Sequence, residues 1–258
     1  MVLAILQARV SSTRLPGKVL KPILGQPMIL RQIERIKRAK KIDHLLVATS
    51  IDQTDDKLAG LCAENGIPCF RGNLEDVLDR FYEAAKPYNP DHVVRLTGDC
   101  PLADPQLVDQ VIRFHLDGGF DYTSNTIEPT YPDGLDIEVL RFSCLDYAWR
   151  EALLPSQREH VTPFIYQQHG RFKIGCYKNE IDLSRLRWTV DEPLDFELIT
   201  KIYEAIYPIN SGFTTQDILV FLDKHPELKT LNTHFQRNEG LLKSLQGDFQ
   251  YQNALGKD

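Results

Sequence analysis

The chain has 258 residues, a net charge of −6 at pH 7 and 42% hydrophobic residues, which is typical of a soluble globular protein with one large α/β domain or two smaller domains. Its acidic balance argues against a general nucleic-acid binder, whose binding face is usually basic. No stretch reaches the ~20 apolar residues that span a bilayer, and the first residues lack the basic segment of a secretory signal. We therefore expect a cytoplasmic protein with neither a membrane nor a nucleic-acid partner.

The first predicted element is a buried strand at residues 2–6, a run of five apolar side chains. The loop that follows, residues 7–18, carries three cations, three hydroxyls and a Pro-Gly turn. Cationic side chains, hydroxyls and the backbone N–H groups of a tight loop together match the oxygens of a phosphate. We predict a small-anion site here, with an ordinary basic surface loop as the alternative. The P-loop and Rossmann glycine patterns are absent after this strand, which argues against a P-loop NTPase and a Rossmann dehydrogenase.

Helices and strands then alternate as far as residue 116. The predicted helices are one that begins at Pro27 and those at 55–64, 74–85 and 105–116, and the predicted strands are 44–49, 67–70 and 92–96. Such alternation is typical of a mainly parallel sheet with right-handed crossovers. Ligands of these sheets bind beyond the carboxyl ends of the strands. We therefore expect the loops at 7–18, 71–72 and 97–102 to lie at one edge.

The pattern changes beyond residue 120, where turns and aromatic residues become frequent. We predict strands at 134–140, 172–176 and 186–190, and helices at 144–151, 159–168, 191–206 and from about Thr215. Residues 1–236 are predicted to form a single domain, in which residues 120–180 form an insertion that lines a pocket for an acceptor. The polar tail at 237–258 is predicted to be one more helix or loosely ordered.

Two aspartates follow predicted strands at the ligand-binding edge. Asp99 leaves a strand in a Gly-Asp-Cys-Pro turn, and Asp191 follows the Arg-Trp-Thr-Val run before Glu-Pro. A polyphosphate site commonly needs Mg²⁺, which takes oxygen ligands and only one or two protein carboxylates. Each aspartate alone is compatible with a turn or helix cap. Together with the basic loop, the pair predicts a metal site.

Three segments carry a family resemblance: Gln-Ala-Arg-x-x-Ser-Thr-Arg-Leu-Pro-Gly-Lys at 7–18, Arg-Leu-Thr-Gly-Asp-Cys-Pro-Leu at 95–102 and Thr-Val-Asp-Glu-Pro-Leu-Asp at 189–195. They resemble the cytidylyltransferases that activate 3-deoxy-manno-octulosonate and acylneuraminate. Segments 75–80, 132–139 and 158–163 are similar to the branch of spore-coat polysaccharide biosynthesis proteins. The resemblance covers residues 1 to about 205.

This resemblance implies a three-layer α/β/α nucleotidyltransferase fold, similar to glycosyltransferase A, with a mostly parallel central sheet. It implies that CTP and Mg²⁺ react with a sugar acid, or a related hydroxyl or phosphonate acceptor, to give a CMP-linked product and pyrophosphate. Such a product serves surface polysaccharide or glycoconjugate biosynthesis. The resemblance also implies a homodimer.

The resemblance implies site residues as well. The nucleotide-binding set is Gln7, Ala8, Arg9, Ser12, Thr13, Arg14, Lys18, Arg71, Asp76, Thr97 and Gly98. Within this set Arg9, Arg14 and Lys18 would hold the triphosphate, and the backbone near Ala8 with segment 71–76 would face the base. Lys18, Arg14 and Asp99 are the implied catalytic residues, and Asp99 with Asp191 would bind the metal.

The acceptor site is less defined. Candidate acceptor contacts are Asp133, Asp136, Glu138, Arg158, Glu159 and His160, although a solvent-side strand position for Glu138 and a helix surface for His160 are equally compatible with the sequence. The octulosonate enzymes have Gln-Gly-Asp-Glu-Pro where residues 97–101 read Thr-Gly-Asp-Cys-Pro, and their acceptor residues have no recognisable match at 120–170. Two other functions remain open at this point, a metal-dependent glycosyltransferase that uses a nucleotide sugar and a non-catalytic nucleotide-binding subunit.

Overall fold

A seven-stranded mixed sheet forms the centre of the protein. The structure, a computed structural model, describes residues 1–168, 170–237 and 239–255. The strands are β1 (Val2–Gln7), β2 (Pro22–Ile23), β3 (Gln26–Pro27), β4 (His44–Ser50), β5 (Cys69–Gly72), β6 (His92–Thr97), β7 (Tyr122–Ser124), β8 (Glu138–Arg141) and β9 (Ile174–Cys176). The central sheet has the order β5-β4-β1-β6-β8-β7-β9, and β2 and β3 form a separate hairpin.

Helices cover both faces of this sheet. They are α1 (Met28–Ile36), α2 (Asp56–Glu64), α3 (Val77–Ala85), α4 (Pro105–Gly118), α5 (Phe142–Glu151), α6 (Pro155–His160), α7 (Pro163–Tyr166), α8 (Pro193–Ile206), α9 (Thr215–Lys224), α10 (Pro226–Lys229) and α11 (Glu239–Leu255). Short 3₁₀ turns occur at Lys18–Leu20, Gln53–Asp55 and Lys86–Tyr88.

Strand β1 is buried on both faces, which explains its continuous apolar sequence. Ala4 and Leu6 face one apolar core, to which α1, α4 and α8 contribute, whereas Leu3 and Ile5 face a second core formed with α3 and α5. The result is the three-layer arrangement of helices, sheet and helices. The predicted fold class is confirmed.

Successive strands are added on one side of β1 first and then on the other side. From β1 the chain adds β4 and then β5 on one side, and then returns to place β6 on the other side, with all four strands parallel. Strand β8 then pairs antiparallel with β6. In open α/β sheets the crevice at such a reversal, beyond the carboxyl ends of the strands, is where ligands bind.

Two predicted elements are wrong. The predicted helix at 159–168 is broken into α6 and α7, because Val161 adopts a φ of 71°, outside the helical region. The predicted strand at 186–190 has only an isolated bridge between Asp133 and Arg187. Its backbone donors instead bind loop carbonyls, as in the bond from Val190 N–H to Asp99 O (2.8 Å).

Other boundaries differ from the prediction by smaller amounts. The strand predicted at 134–140 is confined to β8, because residues 132–137 form a turn and a loop that leads into the sheet. The polar tail is helical in α11.

A pair of histidines, of which His115 is buried, links β6, α4 and β7. His92 Nδ1 lies 3.0 Å from His115 Nε2, and His115 Nδ1 lies 3.0 Å from the Thr123 hydroxyl. Burial, with His92 and Arg141 nearby, lowers the pKa of His115 to about 4. The folded protein therefore keeps His115 neutral under conditions in which an unfolded chain protonates it.

We expect this histidine to make stability depend on acidity. Because its pKa is lower in the folded state than the ordinary 6.5, stability is lost as the pH falls from about 6.5 to 4. A difference of this size corresponds to about 3 kcal/mol. Urea unfolding at a series of pH values should show a flatter dependence for His115→Gln than for the wild type and for the exposed control His234→Gln. Equal slopes for all three would contradict this prediction.

Candidate functional site

The site begins where β1 and β6 end side by side. Gly98 donates its N–H to Gln7 O at 2.7 Å, which ties the start of one loop to the other. A Cβ at Gly98 would lie 2.8 Å from Ala8 Cβ and 3.1 Å from Gln7 O. This close approach therefore requires glycine at position 98.

A cleft of about 590 Å³ opens above this junction. Most of the residues that the sequence placed in the site line this cleft, namely Gln7, Ala8, Arg9, Ser12, Thr13, Arg14, Lys18, Thr97, Gly98, Asp99, Asp133, Asp136, Glu138, Glu159, His160 and Asp191. The cleft thus joins segments from distant parts of the chain. Its volume is in the range of small-molecule sites.

The ammonium group of Lys18 lies at the base of the cleft. Lys18 is 8% exposed, and its Nζ donates to Val190 O at 2.7 Å and Asp191 Oδ1 at 2.8 Å, with Asp99 Oδ2 at 3.5 Å. Burial opposes the charge, but Asp99 and Asp191 outweigh it and raise the pKa of Lys18. A charged amine is therefore fixed between two carboxylates.

Asp99 is held from both sides. Its Oδ1 accepts a hydrogen bond from the Thr97 hydroxyl at 2.6 Å, and its Oδ2 faces Lys18. Burial works against ionisation, but Lys18 and the Thr97 hydroxyl outweigh it and lower the pKa of Asp99. The carboxylate is thus ionised at neutral pH.

A buried ion pair between Arg187 and Asp195 fixes the loop that carries Asp191. The Arg187 guanidinium donates to both oxygens of Asp195 at 3.0 Å and also to Asp133 at 2.9 Å. Asp195, at 0% exposure, accepts the backbone N–H groups of Asp191 and Glu192 at 2.9 Å each. Asp191 is therefore positioned by a network of buried charges.

Gly134 allows the loop that carries Asp133 to reach this network. Its φ is 105°, and a Cβ there would lie 2.3 Å from the backbone nitrogen of Thr189. Only glycine fits both this conformation and this space. Glycine at position 134 therefore allows the segments at 132–135 and 187–190 to run side by side. They are joined by the bond from Trp188 N–H to Asp133 O at 2.6 Å.

Two further carboxyl groups, Asp133 and Asp136, line the cleft. Burial raises the pKa of Asp136 to about 7, although Arg237 partly offsets this through an ion pair of 2.7 Å. Burial also raises the pKa of Asp133, which Arg187 and Arg237 oppose. Both carboxyl groups are therefore harder to ionise than an exposed aspartate.

An ion pair between neighbouring strands also lines the cleft. Arg95 of β6 and Glu138 of β8 are directly opposite in the sheet, with Nη1 and Oε1 2.7 Å apart. Arg95 also donates to the Gln7 side chain at 3.2 Å. Glu138 Oε2 is buried and has no hydrogen-bond partner in the part of the chain that the structure describes. This oxygen is free to accept a hydrogen bond from a ligand.

Three predicted residues lie outside the cleft lining. Arg71 donates to the carbonyls of Ser50 and Asp52 at 2.9 and 3.0 Å. Asp76 caps α3 and pairs with Arg158 Nε at 3.0 Å. These contacts connect structural elements and leave the three side chains engaged away from the cleft.

Four arginines at the site were missed from the sequence, namely Arg80, Arg95, Arg187 and Arg237. Arg95 and Arg187 each lie between two apolar residues. This pattern predicts a buried arginine with a charged partner and could have identified both residues. Burial lowers the pKa of Arg80, which lines the cleft from α3, to about 10. Arg237 has no comparable signal, because its role depends on contacts with residues about a hundred positions earlier.

The family model described as cytidylyltransferase matches residues 3–233. The chain belongs to the cytidylyltransferase family. The resemblance found in the sequence is confirmed, and so is the prediction of a nucleotidyltransferase of this family. Among the described residues, no helix has the length and apolar character needed to cross a membrane.

Relatives match over nearly the whole chain. An uncharacterised protein of Methanocaldococcus jannaschii is 38% identical over 240 residues, which are 92% of this chain and 96% of that protein. The spore coat polysaccharide biosynthesis protein SpsF of Bacillus subtilis is 33% identical over 236 residues, covering 89% and 97%.

Solved cytidylyltransferases share the fold. A cytidylyltransferase from Leptospira borgpetersenii serovar Hardjo-bovis has a TM-score of 0.85 and 33% identity, covering 92% of this chain and 99% of that one. A CMP:2-keto-3-deoxy-manno-octonic acid synthetase complexed with CTP has a TM-score of 0.61 and 20% identity, covering 79% and 98%. The second likeness concerns the fold alone.

We expect the buried ion pair to be important for stability. Asp195→Asn removes the charge that balances Arg187 and weakens the anchor of Asp191. Loss of one partner of a buried pair should destabilise the protein by about 3 kcal/mol, measured by urea unfolding. Glu197→Gln, an exposed change on the same helix, should stay within about 0.5 kcal/mol of the wild type. A similar midpoint for both variants would contradict this prediction.

Proposed function

We propose that the protein transfers CMP from CTP to a hydroxyl-bearing acceptor and releases pyrophosphate. Besides family membership, the observation that carries this proposal is the Lys18 ammonium between Asp99 and Asp191 at the strand reversal. Phosphoryl transfer depends mainly on positioning and on stabilising charge. A fixed cation beside two carboxylates suits that requirement. The cytidylyltransferase family model that matches residues 3–233 supports the choice of nucleotide.

In this proposal the 7–18 loop binds the triphosphate. Arg9 is exposed and lines the cleft, Arg14 lies at its mouth, and Lys18 lies at its base. The acceptor oxygen forms a bond to the α-phosphorus, the bond to the β-phosphate oxygen breaks, and the acceptor proton passes to solvent. Lys18 and Arg14 balance the charge of the leaving pyrophosphate.

The site suits Mg²⁺ that is shared with phosphates. Asp99 and Asp191 face the Lys18 ammonium at 3.5 and 2.8 Å, and each carboxylate would supply an oxygen ligand to Mg²⁺ bound with the phosphates. No group of three or more His, Cys, Asp or Glu side chains able to hold a metal occurs among the described residues. Since Mg²⁺ usually takes one or two carboxylates and completes its shell with phosphates and water, the pair is sufficient. When bound, Mg²⁺ supplies charge neutralisation and orients the phosphates.

The acceptor in this proposal is a sugar acid, or a related hydroxyl or phosphonate compound, used in surface polysaccharide or glycoconjugate synthesis. The name of the Bacillus subtilis relative supports this direction. Asp133, Asp136, Glu138, Glu159 and His160 line the cleft, and in this proposal they contact the acceptor. The homodimer and the cytoplasmic location remain predictions from the sequence.

The proposal is tested by pyrophosphate release. ATP, CTP, GTP and UTP are supplied separately with Mg²⁺ and a panel of keto-deoxy sugar acids, sugar phosphates and phosphonates. We expect release with CTP and at least one acceptor. Consumption of a nucleotide sugar with release of a nucleoside diphosphate would instead identify a glycosyltransferase. CTP binding without turnover across the panel would identify a non-catalytic subunit.

Two variants test the residues assigned to the reaction. Lys18→Ala and Asp99→Asn should each lower CTP-dependent pyrophosphate release by at least about 100-fold, because each removes a fixed charge beside the transferred phosphate. Circular dichroism should show an unchanged fold. The exposed substitutions Lys37→Ala and Asp117→Asn serve as matched controls and should retain wild-type rates. Full activity in either site variant would show that the site is wrongly assigned.

A further inference from the structure

Helix α11 lies beyond the region matched by the family, which ends at residue 233, and yet it forms a wall of the cleft. Glu239, Gly240 and Leu241 line the cavity. Farther along the helix, Ser244 donates to Glu159 at 2.6 Å and lies 2.9 Å from His160 Nε2. The helix therefore contacts two of the candidate acceptor residues, both on α6.

The first residue of α11 also reaches the triphosphate end. Glu239 Oε2 lies 3.4 Å from Arg14 Nη1, while Arg14 also faces Asp191 at 3.0 Å and Glu192 at 3.6 Å. Glu192 and Glu239 both face Nη1, so a phosphate oxygen that approaches this nitrogen meets these two carboxylates. The structure thus places Glu239 in competition with a triphosphate.

Of the three carboxylates, Glu239 is the one that can move away from Arg14 most easily. The backbone of Asp191 and Glu192 is fixed by Asp195. Helix α11, by contrast, contributes no side chain to either apolar core among the residues described, and Leu242 and Phe249 are 53% and 68% exposed. Polar contacts hold it in place.

The most buried of these polar contacts joins α11 to α6 outside the cleft lining. Asp248 is 7% exposed and accepts the backbone N–H of Ser156 at 2.8 Å as well as the Ser156 hydroxyl. Since this anchor is on α6, release of Asp248 would loosen α11 without removing any residue that lines the cleft.

We propose that Glu239 is a positioning residue for Arg14: it holds the guanidinium at the mouth of the cleft and is displaced when CTP binds. The inference rests on the proposed use of CTP. This role of Glu239 and a structural role for α11 predict opposite changes in CTP affinity. Loss of a structural support weakens CTP binding, whereas loss of a competing carboxylate strengthens it.

The test measures CTP affinity by calorimetry in the full chain with Mg²⁺. Glu239→Gln should bind CTP about two- to fivefold more tightly than the wild type, a change expected for one exposed ion pair. Asp248→Ala, which frees the helix from its anchor, should also bind CTP more tightly. Amide hydrogen exchange in the first turn of α11 should rise when CTP is added to the wild type.

Two controls isolate the contact with Arg14. Glu75→Gln removes one charge from the cleft lining without touching Arg14 and measures the long-range charge effect, which should be smaller than the effect of Glu239→Gln. Gln246→Ala, on the exposed side of α11, should bind CTP like the wild type.

Unchanged or weaker binding by Glu239→Gln, or an effect no larger than that of Glu75→Gln, would overturn the inference. Weaker binding by Asp248→Ala would overturn it as well, because it would assign α11 a structural role. Failure of the proposed function has a different signature, since CTP would then bind neither the wild type nor any variant.

Discussion

The burial of the Lys18 ammonium is the constraint on which the site depends. A charged amine at 8% exposure is costly unless it is paired and hydrogen-bonded. Its partners come from two distant segments, Asp99 after β6 and the loop of Val190 and Asp191 before α8. The first loop of the chain, the central strand junction and the start of α8 are therefore tied together at one atom.

Each of those partners needs its own support. Thr97 holds Asp99, and the buried pair of Arg187 and Asp195 holds the backbone at Asp191. Further charges continue outward through Asp133 and Arg237 to Asp136. Because these groups are buried and share partners, a change at one is expected to alter the others, and additivity of mutational effects should fail here.

The sequence predicted those parts of the fold that depend on local patterns. The apolar run in β1 and the alternation up to α4 predict a parallel sheet, and strand ends in such a sheet share an edge. The loops bearing Lys18 and Asp99 could therefore be placed together before the structure was known. The absence of a strand at 186–190 could not, because its backbone bonds go to the distant residues Asp99 and Asp133. The positive φ of Val161 has no signal in the sequence either.

The same distinction explains which of the predicted site residues line the cleft and which do not. Side chains within the conspicuous loops, such as Arg14 and Asp191, reach the cleft as expected. Arg71 was implied by the family resemblance and Arg158 was a candidate acceptor contact, but their donors are used by nearby carbonyls and by Asp76. Arg187 and Arg237 act through partners that only the folded chain brings near. Composition and spacing contain little information about such pairings.

The central claim is that the cleft binds CTP with its triphosphate at Lys18. A crystal structure of the complex with CTP and Mg²⁺ tests it most directly. The account predicts phosphate oxygens within hydrogen-bond distance of Lys18 Nζ and of the 7–18 loop, with the metal on Asp99 or Asp191. A nucleotide bound outside this cleft, or one with its base rather than its phosphates beside Lys18, would contradict it.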